Sequence, residues 1–138
     1  MRHEREPVVL ATVPFYFPGF KGGGKPVALR NLIVALRGEF RFKVMTANHD
    51  LGERHPYRAV RSNQWIARDD CETFYLDPHR DALPEMRENL SRTYYDVLYL
   101  NTVFSRPFGI VPLVLRRLGG IPSRPRRERP CDTLTRCA

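Results

Sequence analysis

No stretch of this sequence approaches the roughly 18 consecutive apolar residues that a membrane-spanning helix needs. Cysteine is scarce and odd in number, at positions 71, 131 and 137. No pair of them has zinc-ligand spacing, and three cysteines give no closed disulfide framework. Reduced thiols and a cytoplasmic setting are therefore expected. No signal peptide is expected either. Met1 to Glu6 is charged and runs into Pro7, and the apolar run behind it is too short and too soon broken. Acidic residues are outnumbered, 15 against 23 Lys and Arg, which leaves a net charge of +8. That balance suits phosphorylated small molecules, nucleic acid or anionic lipid, or else a solvated basic surface.

Glycine and charge are instead concentrated in one place. Val8 to Val13 is short, rich in β-branched residues and bounded by prolines, and reads as a buried strand. It leads into Pro14-Phe15-Tyr16-Phe17-Pro18-Gly19-Phe20-Lys21-Gly22-Gly23-Gly24-Lys25-Pro26. A helix is expected from Pro26 to Arg37. Leu29, Leu32, Ile33 and Leu36 make one apolar face, and Gly38 is the stop. Strand, glycine-rich turn and helix in that order form an anion site. Glycine lets a ligand approach the backbone, and the helix start presents free N–H groups and a partial positive charge. Lys21 and Lys25 add full charges beside it.

Further along, Phe42 to Ala47 reads as a second strand and Asn48 to Ser62 as a polar loop. Gln64 to Ala67 reads as a short edge strand, and Glu72 to Leu76 as a strand ended by Asp77-Pro78. Asp81 and Pro84 open a helix through Leu83, Met86 and Leu90. Asp96 to Leu100 is a strand leading to Asn101. A last helix is expected from about Arg106 to Leu118, with Pro112 either near its true start or kinking it. Strands alternating with helices, and strands apolar on both faces, predict an α/β domain: a Rossmann-like three-layer unit with a mostly parallel sheet over residues 7–121. Ligands of such sheets bind beyond the carboxyl ends of the strands, where the glycine loop, Asn48, Asp77 and Asn101 would cluster. Residues 122–138 hold five arginines against Glu128 and Asp132, with little apolar content, and read as a disordered basic tail.

Three phosphate-loop readings compete. Gly19-x-x-x-x-Gly24-Lys25 matches most of a P-loop, but Pro26 stands where Ser or Thr would hold Mg²⁺. Gly22-x-Gly24-x-x-Val27 half-matches a dinucleotide fingerprint. Its third glycine is missing, and no acidic residue closes the second strand. The third reading rests on several landmarks in order. They are Phe17-Pro18-Gly19-Phe20-Lys21-Gly22-Gly23-Gly24 and the helix from Val27 to Leu36, then Phe42 to Thr46 with the loop Asn48-His49-Asp50-Leu51-Gly52. Tyr95-Asp96-Val97-Leu98-Tyr99-Leu100-Asn101 and the segment Phe108 to Gly119 complete them. Together they resemble the N-terminal domain of glycosyltransferase family 4-like enzymes, which have the GT-B architecture.

The resemblance implies the N-terminal part of a transferase that moves a sugar from a nucleotide-sugar donor to a sugar or lipid-linked acceptor, with room for a peripheral membrane contact. It implies that Gly22, Gly23 and Gly24 face the donor phosphate and sugar, supported by Lys21 and Lys25. Acceptor contacts would come from Asn48, Asn101 and Phe17. Many members have a histidine after the fourth strand where Asn101 stands, so no proton transfer is assigned to it and no catalytic residue is named. No metal, no cofactor and no specific nucleic-acid partner is expected. The family's nucleotide-binding half, with its paired glutamates, has no counterpart here, and Arg-rich sequence begins abruptly at Ser123. The expectation is a truncated or frameshifted fragment, inactive alone. The alternative is a small basic non-catalytic binding protein for anionic ligands.

Other residues have plainer readings. His49 and His55 are expected on the surface, His79 in a turn, and Asp69 and Asp70 in a solvated turn. Phe15, Tyr16, Phe17 and Trp65 are expected to pack rather than stack on a ligand. Arg116 and Arg117 suit a helix C-terminus.

Overall fold

The computed structural model describes residues 5–68, 70–78 and 82–118. The order along the chain is β1 (Val8–Thr12), α1 (Gly24–Ala35), β2 (Arg41–Ala47), β3 (Trp65–Ala67), β4 (Glu72–Leu76), α2 (Ala82–Arg92), β5 (Val97–Leu100) and α3 (Val111–Leu118). The strands form one sheet in the order β3-β4-β2-β1-β5. Four of them run parallel, and only the short edge strand β3 pairs antiparallel, on β4. The protein is thus α/β, with a five-stranded, mostly parallel sheet.

β1 is the axis of the sheet. All five of its residues are buried, as a strand covered on both faces requires. Its side chains alternate between two cores. Val8 and Leu10 join Met45, Phe74, Met86 and Leu90 on the side of α2 and α3. Val9 and Ala11 join Phe42, Val44, Leu29 and Ile33 on the side of α1. The two helix layers on opposite faces follow from right-handed crossovers running in opposite directions, β1 to β2 and then β4 to β5. The direction of winding reverses between β1 and β5, which makes that boundary the switch point where an open α/β sheet offers a crevice.

Three expectations need correction. The first helix starts at Gly24 rather than Pro26, with Gly23 as its N-cap at φ 73°. Proline is tolerated in the first turn because its missing N–H would have no helical partner there. The last helix starts at Val111, not near Arg106. Residues 103–110 form a loop closed by Ile110 N–H donating to the Val103 carbonyl (3.1 Å) and by Gly109 N–H donating to Ser105. Pro112 therefore sits in the helix's first turn and does not kink it. Leu83, counted on the apolar face of the second helix, is half exposed, and Met86 and Leu90 carry that face into the core. The expected positions of Asp69, His79, Asp81 and the tail 122–138 lie outside the described residues. Among the described residues no helix is long and apolar enough to cross a membrane.

Candidate functional site

The loop from Val13 to Gly23 leaves β1 at the carboxyl edge of the sheet and delivers the start of α1 there. Asp50, from the β2 exit, holds it in shape. Its buried carboxylate accepts the Phe20 N–H (3.0 Å), the Lys21 N–H (3.2 Å) and the Leu51 N–H (2.8 Å). Burial alone pushes the Asp50 carboxyl up. The three backbone donors and the nearby Lys21 charge outweigh it and hold the group below the usual carboxylate range. Gly19 is fixed by contact: a Cβ there would strike the Tyr57 hydroxyl and lie 2.9 Å from Asp50 Oδ1. Gly22 is tight as well, its Cβ direction 3.0 Å from both Phe15 Cβ and Pro26 Cγ.

Gly23 and Gly24 differ from these. Both are exposed and face open space. Gly23 needs its positive φ, but no described residue comes within 4 Å of a Cβ built at Gly24. No side chain caps the start of α1, and no acidic residue lies in its first turn. The first N–H groups of α1 are thus uncapped by side chains at the sheet's carboxyl edge, with the exposed Lys25 among them. Lys21 is partly committed: its ammonium pairs with Glu53, which raises its pKa above the ordinary lysine value.

The residues expected to contact an acceptor separate. Asn101 stays with the site: its side-chain amide lies 3.5 Å from the Lys25 carbonyl, and its backbone N–H donates to Thr12. Asn48 is buried and occupied. Its side chain donates to Ser62 (2.9 Å), while its backbone N–H donates to Leu76 and its carbonyl accepts from Tyr57. It holds the 48–62 loop in place. Phe17 turns toward the flank of α1, with Arg30 5.0 Å above its ring, in a separate cavity of about 140 Å³. Tyr16 and Trp65 pack as expected, the latter 5.3 Å from Phe74. Asp70 pairs with Arg37.

A larger feature lies on the other side of Phe15. A groove of about 820 Å³ opens at the same edge, between the starts of α2 and α3 and the ends of β1 and β2. Phe15, Phe108, Val111 and Leu115 form its wall, and among the described residues His49 and Arg106 are the charged or titratable side chains that line it. Phe15 faces both ways, bracing Gly22 and lining the groove. His49 is half-buried there, not a surface residue. Its Nδ1 meets the Asp50 carbonyl at 2.9 Å, and its ring stands edge-on to Phe15 at 5.9 Å.

Sequence reasoning missed Asp50 as the brace and Arg106 as a groove residue. Asp50 lies 30 positions from Phe20, a separation that no local pattern carries. Among the described residues no group of His, Cys, Asp and Glu is placed to hold a metal. Cys71 is no activated nucleophile, because burial pushes its thiol up. No family model matches the sequence, and no curated protein or solved structure matches it.

Proposed function

We propose that this chain is the acceptor-side part of a nucleotide-sugar glycosyltransferase of the family 4-like, GT-B kind, with Rossmann-like architecture. The observation that carries the reading is the uncapped start of α1 at the β1/β5 switch point, where Gly24 faces open space and Lys25 is exposed. When a sugar leaves its nucleotide, negative charge grows on the departing diphosphate. N–H groups already aimed at that position stabilise the charge without reorganising. Asp50 supplies the preorganisation by fixing Phe20 and Lys21 through their backbone. Asn101 and the groove beyond Phe15 lie on the acceptor side of the same edge. In this reading nucleotide recognition and paired glutamates belong to a second unit, so the 138 residues bind diphosphate weakly and do not turn over alone.

The test is a titration of ¹⁵N-labelled protein with a nucleoside-diphosphate sugar and with pyrophosphate. The expected result is saturable shifts of the Gly22, Gly23, Gly24 and Lys25 amides, lost in Lys25→Glu. Shifts confined to arginines of residues 122–138, with steep salt dependence, would replace the reading with general anion binding by a basic protein.

A further inference from the structure

We propose that the groove beside Phe15 binds a free single-chain amphiphile, with its apolar chain between α2 and α3 and an anionic head on Arg106. Three observations converge. First, the volume of about 820 Å³ lies within the usual range of small-molecule sites. Second, the wall is apolar out to its rim. Leu83, Ile110 and Val114 line the groove yet stay 50%, 49% and 41% exposed, an arrangement that leaves water against apolar surface until a chain displaces it. Third, among the described lining residues Arg106 is the one fully charged side chain, no described carboxylate pairs with it, and the start of α3, with no acidic residue in its first turn, brings its positive end to the groove. An uncharged apolar ligand would leave Arg106 unused, and a purely ionic one would leave the wall wet. An anionic head on an alkyl chain satisfies both.

The proposal stands without the sugar-transfer reading, and its test contains no sugar donor. The chain has four isoleucines, at positions 33, 66, 110 and 121. Of the three described ones Ile110 alone lines the groove, whereas Ile33 is buried on the inner face of α1 and Ile66 sits on β3. Octyl phosphate below its micelle concentration is titrated into protein labelled at the isoleucine methyls. The Ile110 methyl is expected to shift saturably while Ile33 and Ile66 hold still. Arg106→Gln is expected to weaken octyl phosphate about tenfold and to leave octanol unchanged, as removal of a charge-assisted contact should. Val114→Asp, at an exposed position, is expected to abolish binding of both with the Ile33 and Ile66 signals intact. A stationary Ile110 methyl would overturn the proposal. So would equal affinity for octanol and octyl phosphate in both proteins, or binding to anionic vesicles without binding to the monomeric amphiphile.

Discussion

At the residue scale, the four glycines of the loop should behave as two classes. Gly19→Ala forces a Cβ onto the Tyr57 hydroxyl and to 2.9 Å from Asp50 Oδ1, so it should lower stability and disorder the loop. Gly24→Ala meets open space on the first turn of α1. It should raise stability by up to about 1 kcal/mol, because alanine is the better helix former. It should nonetheless weaken diphosphate binding by crowding the exposed backbone. Thermal melts and the pyrophosphate titration check both halves, and a Gly24→Ala protein that binds as well as the parent contradicts the proposed role of the loop. Asp50 gives a pH prediction. Its folded pKa is depressed, so the stability it contributes is present above the unfolded carboxylate's pKa and is lost as pH falls through the lower, folded value. Asp50→Asn should cost about 2 kcal/mol at neutral pH, since backbone donors lose a charged acceptor. It should also flatten the acid limb of the melting-temperature profile. An acid limb of unchanged slope would mean that other carboxylates carry it.

At the element scale, the 103–110 loop is tied to the centre of the sheet by one buried hydrogen bond: Thr12 Oγ1 donates to the Phe108 carbonyl at 2.7 Å. Thr12→Val keeps the shape of β1 and removes the donor. It should cost about 1 kcal/mol of stability and broaden the Ile110 methyl signal as the loop loosens over the groove. A sharp, unshifted Ile110 signal would show that the loop holds by packing alone. This loop also marks the limit of what the sequence could disclose. Every strand and the α1 and α2 helices were legible, because short β-branched runs and the spacing of Leu29, Ile33, Met86 and Leu90 report local periodicity. The start of α3 was misplaced because the chain turns back on itself just before it, where a Cβ on Gly109 would come within 2.7 Å of the Val103 carbonyl carbon six residues earlier. The glycine loop between β1 and α1 was legible from its composition, and its binding of an anion is the proposal that the diphosphate titration tests. The burial of Asn48 was not legible: a polar residue after a strand reads the same whether it faces solvent or, as here, holds Ser62 and Tyr57 from a buried position. The groove was invisible because its walls come from four elements.

At the scale of the whole molecule, the two ends of the sheet differ. β3 closes one edge with three residues and an antiparallel turn of direction. Among the described residues β5 forms the other edge and pairs with β1 alone, and it carries no charge along Val97-Leu98-Tyr99-Leu100. Its alternate side chains divide as the pleat requires. Leu98 packs on the α2 and α3 core, while Val97 and Tyr99 remain 46% and 38% exposed on the other face. An uncharged edge with unpaired N–H and C=O groups and an exposed apolar face is a template for another strand. The net charge of +8 opposes approach of a second copy at low ionic strength, and salt screens that repulsion beyond about 10 Å at 0.1 M. Self-association should therefore rise with salt, the reverse of what contacts between basic and acidic surfaces would show. Val97→Lys places a charge on the open edge without touching the buried side of β5. It should suppress the salt-induced species while leaving the unfolding free energy within about 0.5 kcal/mol of the parent, as for other exposed substitutions. Sedimentation velocity across a salt series decides the matter. Association that weakens with salt, or that persists unchanged in Val97→Lys, would locate the sticky surface elsewhere, with the apolar rim of the groove at Leu83 and Val114 the next to be changed.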